Sequence, residues 1–292
     1  MAKINLKTIL LIIFANSLIT LVLPYLSLLI SKNLNKTYEL GFFNLVALYS
    51  LIIVILLIFI YKLFSKNKFE FYGFKEITKK DLKLTLILIS FLFPIPLLGR
   101  LLDPSFDAWF VSLYNLGSYV AIIYFIINLP IYLIKEELIE RSLIQNYLSK
   151  NYSSILTILV ISINFAILHF ILIPNTLYHS VITVISVFLG SLIIASLYEL
   201  TKNVFLTILT HLIYNFVVFY QIILHNDKNM LGESILFIVW GIFFLFTFTK
   251  AIQILKPLFR FKKENLKIAD YIFLILFSVV LPIILLLLSK YL

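Results

Sequence analysis

The 292 residues contain no cysteine, which excludes disulfides, thiolate metal sites and a cysteine nucleophile. Charged residues make up only 13%, and there are just 7 glycines and 8 prolines. A soluble globular chain carries about 25% charged residues, so too little polar surface is available here to face water. The scarcity of Gly, Pro and charge equally excludes a disordered or low-complexity chain. What is abundant is apolar: 62% of residues are hydrophobic and 16% aromatic, with a mean hydropathy of +1.07. Such a chain belongs in a bilayer, with membrane lipid as its first partner. The 24 Lys and Arg against 14 Asp and Glu fit the rims of membrane spans better than a nucleic-acid surface, so no nucleic-acid partner is expected.

A bilayer-crossing helix needs about 20 mostly apolar residues. Nine runs of that kind are found, near residues 8–30, 41–61, 84–102, 117–135, 154–173, 178–199, 203–224, 235–255 and 271–289. Backbone polar groups cannot face lipid unsatisfied, and the runs lack the alternation of barrel strands. The expected fold is therefore all-α, a polytopic bundle of about nine spans with a polar cavity between helices. Alternating sides places nineteen Lys and Arg on the side of the N-terminus and five on the other. That asymmetry predicts a cytoplasmic N-terminus and an external C-terminus in a multi-pass cell-membrane protein. The first run follows Lys3 and Lys7 and is read as a retained span. Three parts are expected: an N-terminal transmembrane hairpin (1–71), a core (72–224) and a C-terminal transmembrane hairpin (225–292). The Lys-rich stretch 65–83 reads as an interfacial loop held by snorkelling lysines and aromatic rings.

Charges and imidazoles inside spans cost free energy, about 2.5–3.5 kcal/mol for a central charge on insertion scales, and so mark sites. Three constellations stand out: Glu136-Glu137-Leu138-Ile139-Glu140-Arg141, Asn164 to His169, and His211 to Asn215. Residues at i and i+4 share a helix face, which predicts a Glu137–Arg141 ion pair and leaves Glu136 turned about 100° away. The same spacing points Phe165 with His169 and His211 with Asn215. If the fourth and fifth runs form a hairpin turning near Tyr152 and Ser153, Glu136 lies 16 residues before the turn and His169 17 after it. Both are then about 24–26 Å from the turn and level with one another. The polar run Gln145, Asn146, Ser149, Lys150 and Asn151 is expected to project into the cytoplasm. Glu140 is expected to face that interface, Glu199 to be solvated beside Lys202, and Pro130 to kink a helix. His179 and His225 are read as interfacial.

These motifs, EExxxR, FxxxH and HxxxN in order on separate apolar runs, resemble the CPBP family of intramembrane proteases. That family includes the type II CAAX prenyl endopeptidases and the Abi proteins associated with bacteriocin self-immunity. The resemblance extends over roughly residues 72 to 220 and includes the lead-in Tyr72-Gly73-Phe74-Lys75 and the run Gly190 to Asn203. It implies an intramembrane endopeptidase in which Glu136 and His169 activate water, His211 and Asn215 stabilise the oxyanion, and Glu137 and Arg141 support the site. It also implies a peptide or membrane-protein substrate, in CAAX-type processing, peptide maturation or bacteriocin self-immunity.

No HExxH zinc signature is present. A Glu beside a His activates water by itself, so a glutamic protease without a cofactor is the expected form. The alternative is a zinc enzyme with Glu136, His169 and His211 as ligands. The rival functions are a proton-coupled transporter using the same residues as a relay and a non-catalytic immunity or scaffold protein. Richness in Lys, Asn and Ile suggests an AT-rich, bacterial coding sequence, for which a prenylated substrate is a poorer expectation than a pheromone, bacteriocin precursor or membrane protein.

Overall fold

The structure is a computed structural model describing residues 48–56, 73–96, 99, 124–172, 177–227 and 229–258. The expected spans at 8–30 and 271–289 lie outside the described residues, and of the span at 41–61 only the helical stretch 48–56 falls within them. The described elements are all helical. In order they are α1 (Lys79–Leu92), a π-helical turn at Tyr124–Asn128, α2 (Leu129–Glu137), a π-helical stretch at Leu138–Gln145 and α3 (Asn146–Asn151). Then come α4 (Ser154–Leu172), α5 (Leu177–Thr201), α6 (Val204–Asn226) and α7 (Met230–Leu255).

Three stretches among the described residues are long and apolar enough to cross a bilayer: Val181–Thr201, Val204–His225 and Met230–Leu255. They coincide with the expected runs at 178–199, 203–224 and 235–255. Ser154–His169 is apolar but shorter. Capping residues start several of these helices where the sequence changes character. Thr78 caps α1 reciprocally with Asp81, Asn203 accepts from the Phe205 amide at the start of α6, and Asn229 accepts from Gly232 at the start of α7. Each cap satisfies backbone donors that a helix start leaves open.

α5 is the centre of the arrangement, lying against α4, α1 and α6, while α6 also packs on α2 and α7 packs on α1. Ile87, Leu88, Leu197, Leu206 and Ala251 form one apolar cluster where α1, α5, α6 and α7 meet. Phe91 of α1 lies 4.9 Å from the Phe244 ring and 5.7 Å from Phe248 of α7, and the buried Ser90 and Thr247 hydroxyls pair between the same helices. Lipid is as apolar as these side chains, so close packing and such hydroxyl pairs hold the helices together. The outer face of α7 is exposed through Leu245, Phe246 and Ile238, as a lipid-facing helix requires.

The helix that carries Glu136 runs on to a turn at Tyr152 and Ser153, where the hairpin reading put it. Helical backbone runs from Tyr124 through Asn151, and every residue from 135 to 145 is buried. The Lys135 ammonium lies over the Tyr132 ring at 4.4 Å and Arg141 is fully buried. A helix buried on all sides can hold polar residues only where neighbouring helices offer partners. Pro130 sits in the first turn of α2, directly after the π-helical turn. It has no amide proton for the Ile126 carbonyl, and its ring crowds that carbonyl, so the preceding turn widens.

The polar end of the α3–α4 hairpin folds inward too. Glu199 accepts from Ser149 Oγ at 2.6 Å, Ser154 Oγ at 3.2 Å and Gln145 Nε2 at 3.4 Å, and pairs with Lys202 Nζ at 2.8 Å. Its side chain is only 7% exposed, which corrects the expectation of a solvated carboxylate. Gln145 is fully buried, while Lys150 and Asn151 at the end of the same polar run are exposed. Burial lowers the Lys202 ammonium below the ordinary lysine value, and the Glu199 charge opposes the shift.

Residues 73–75 of the lead-in meet the end of the run Gly190 to Asn203. Val204 donates to the Gly73 carbonyl at 2.8 Å, and Asn203 Nδ2 donates to the Lys75 carbonyl at 2.9 Å. Gly73 has φ +74°, and a Cβ there would stand 3.0 Å from the Lys202 carbonyl oxygen and 3.2 Å from the Tyr198 ring. Glycine meets both demands.

Candidate active site

Glu137 is the most heavily bonded side chain of the EExxxR segment. Its Oε2 accepts from Arg141 Nε at 3.3 Å, with both side chains fully buried. Its Oε1 lies 2.9 Å from Nδ1 of His211 on α6. Arg141 donates onward to Ser191 Oγ of α5 at 3.0 Å. One carboxylate thus ties α2, α5 and α6 together. The i,i+4 pairing of Glu137 with Arg141 was readable from spacing, whereas the bond to His211 was not.

Glu136 is turned away from that network. It is 7% exposed, Tyr132 one turn earlier interacts with it electrostatically, and its Oε2 is buried with no hydrogen-bond partner among the described residues. His169 interacts with it electrostatically from α4. The His169 ring is anchored by Nδ1, 2.9 Å from the Phe165 carbonyl one turn earlier. A carbonyl only accepts, so Nδ1 carries the proton and Nε2 presents a lone pair. Glu136 and His169 therefore each present an acceptor.

Phe165 is the common wall. Its ring centroid is 4.5 Å from that of His169 and 5.8 Å from that of His211, and the Arg141 guanidinium lies 5.5 Å from its centroid. The FxxxH spacing placed it with His169, but its contact with His211 and Arg141 depends on how α4 and α6 approach. Asn215 lies one turn beyond His211 on α6 and is half-buried.

One residue departs from expectation. Glu140 does not face an interface: it is buried, and Asn164 Nδ2 of α4 reaches both of its oxygens, at 3.2 and 3.4 Å. The hairpin arithmetic holds the reason, since Glu140 lies 12 residues before Tyr152 and Asn164 12 after it. His225 bonds Glu233 on the exposed surface at 3.1 Å, in keeping with an interfacial histidine. The side chain of His179 lies outside the described residues.

The metal alternative needs Glu136, His169 and His211 to converge. Among the described residues no three His, Asp or Glu side chains form such a group. The Nδ1 atom of His211 is already engaged by Glu137 and that of His169 by a backbone carbonyl, so these atoms act as anchors here.

No curated protein and no solved structure matches the chain. Residues 118–217, about a third of the chain, match a family model, and that stretch holds all six motif residues from Glu136 to Asn215. The model is described as Rce1-like, type II CAAX prenyl endopeptidase Rce1-like, so over this stretch the chain is similar to the protease family that its motifs resemble.

Proposed function

We propose that the protein is an intramembrane endopeptidase hydrolysing a peptide bond of a membrane-associated peptide or protein, with Glu136 as general base. The observation that carries this reading is the contrast between adjacent glutamates. Glu137 is saturated by Arg141 and His211, while Glu136 keeps a buried oxygen without a partner among the described residues. A buried carboxylate oxygen left open is costly unless a ligand or water completes it.

The chemistry follows from the donor and acceptor directions. A water held between Glu136 and Nε2 of His169 gives one proton to Glu136 as its oxygen attacks the scissile carbonyl carbon. The carbonyl π pair moves onto oxygen, where His211 and Asn215 donate to it. His211 donates through Nε2 while Nδ1 is held by Glu137, which requires protons on both ring nitrogens, and Glu137 supplies the counter-charge for that form. Collapse of the tetrahedral intermediate breaks the C–N bond, and Glu136 returns its proton to the leaving amine. Residues 72–224 form the catalytic core in this reading, and the flanking segments, 1–71 and 225–292, complete the membrane domain.

The test is cleavage of fluorogenic peptide libraries, lipidated and unlipidated, by the full-length protein in detergent, compared with Glu136→Gln and with a strong chelator. Cleavage that vanishes in the variant and survives chelation is the expected result. Chelator-sensitive cleavage moves the mechanism to a zinc enzyme. Absence of cleavage throughout shifts weight to the transporter and scaffold readings, and ion-flux assays then decide between them.

A further inference from the structure

Within the seven residues Lys135 to Arg141, three carboxyl groups and two cations are buried. Glu137 has Arg141 and His211 as partners, and Lys135 interacts electrostatically with its neighbour Glu136. Glu140 is different. It is 2% exposed, and its hydrogen-bonding partner is an amide, Asn164, whose Nδ2 lies 3.2 Å from Oε1 and 3.4 Å from Oε2. An amide presents a donor and an acceptor side by side. A carboxylate only accepts, so it uses the donor and leaves Oδ1 of Asn164 unanswered. That Oδ1 is buried without a partner. A carboxylic acid has one O–H and one carbonyl and answers both halves of the amide.

We propose that Glu140 is held as the neutral acid against Asn164 and serves as a positioning residue for the catalytic groups. The consequence for catalysis rests on the proteolytic reading above; the protonation state of Glu140 does not. The pair clamps the π-helical stretch to α4 immediately beside Phe165, the ring that touches His169 and His211. It also sets the charge of the site. The groups around Glu140 are Lys135, Glu136, Glu137 and Arg141 on its own helix. From other helices come Asn164 of α4 directly, Ser191 of α5 through Arg141, and His211 of α6 through Glu137. With Glu140 neutral, Lys135, Arg141 and a doubly protonated His211 exceed Glu136 and Glu137 by one positive charge, which suits a developing oxyanion. Ionising Glu140 cancels that excess.

The experiment uses the full-length protein in detergent in two arms. In the first, infrared difference spectra of wild type against Glu140→Gln at neutral pH are read for the carbonyl stretch of a protonated carboxyl. The band is expected in wild type and missing in the variant; its absence from wild type overturns the proposal whether or not any peptide is cleaved. In the second, pH profiles are measured on a fluorogenic library peptide cleaved by wild type. Glu140→Gln keeps kcat within about threefold at neutral pH and begins its alkaline decline at higher pH than wild type, whereas Asn164→Ala loses about tenfold in kcat with KM little changed. A folded Glu140→Gln protein that loses tenfold or more at neutral pH, or that declines on the alkaline side as wild type does, overturns the positioning role. If wild type cleaves nothing, the proteolytic reading fails and the infrared arm alone decides the state of Glu140.

Discussion

Oε1 of Glu137 and Nδ1 of His211 lie 2.9 Å apart, joining helices whose contact residues are 74 positions apart in the chain. The same carboxylate holds Arg141 through its other oxygen, so orientation of the imidazole and burial of the guanidinium depend on one group. Glu137→Gln therefore removes the counter-charge of both. Leaving Arg141 buried without its partner is expected to cost about 3–5 kcal/mol of stability, read as denaturant or thermal unfolding in detergent, and kcat of the folded fraction should fall as well. A variant with wild-type stability would show that the buried pair contributes nothing net.

Glu136→Gln has the opposite signature. The side chains are isosteric, and Oε2 of Glu136 makes no hydrogen bond among the described residues that amidation would break. Turnover should fall by about 10²–10⁴, the contribution of a general base, while the unfolding midpoint stays close to wild type. Loss of folding together with activity would mark Glu136 as a structural charge instead.

Phe165→Leu tests the ring that separates the two histidines. Leucine keeps apolar volume but loses the contacts to His169, His211 and Arg141. The expected loss of stability is about 1 kcal/mol, and kcat should fall more than KM rises because the histidines lose their common wall. Unchanged kinetics would show that the backbone anchor of His169 and the Glu137 bond to His211 suffice to orient the two rings.

Gly73→Ala addresses the join between the lead-in and the end of the run Gly190 to Asn203, remote in the chain from the motif residues. The added methyl meets the Lys202 carbonyl and the Tyr198 ring, and the residue must hold φ +74°. A destabilisation of about 1–3 kcal/mol is expected, with kcat of the folded fraction little altered. Equal loss of kcat would tie this strap to catalysis rather than to stability.

How much of this was readable beforehand differs residue by residue. The i,i+4 pairing of Glu137 with Arg141 is local, because helical geometry alone brings such side chains together. The level placement of Glu140 and Asn164 was implicit in the hairpin arithmetic but was applied only to Glu136 and His169. Glu199 read as solvated because it sits at the end of an apolar run, and nothing in its neighbours foretold that Ser149, Ser154 and Gln145 would fold over it. The widened turns around Pro130 and over Leu138–Gln145 also lay beyond spacing rules built on the α-helix, since a π-helical stretch changes the direction of every later side chain.

The sequence by itself determined that this chain forms apolar helices and that its ionisable residues within them belong to an interior site, because lipid tolerates neither open backbone nor stray charge. It also placed the motif residues in an order similar to a known protease family. Tertiary structure decided which of those residues touch. Glu137 rather than Asn215 became the partner of His211, Glu140 turned to Asn164, and Glu136 kept an open oxygen. Those choices depend on the approach and rotation of α2, α4 and α6, which side-chain packing sets over the whole bundle and which no local spacing encodes.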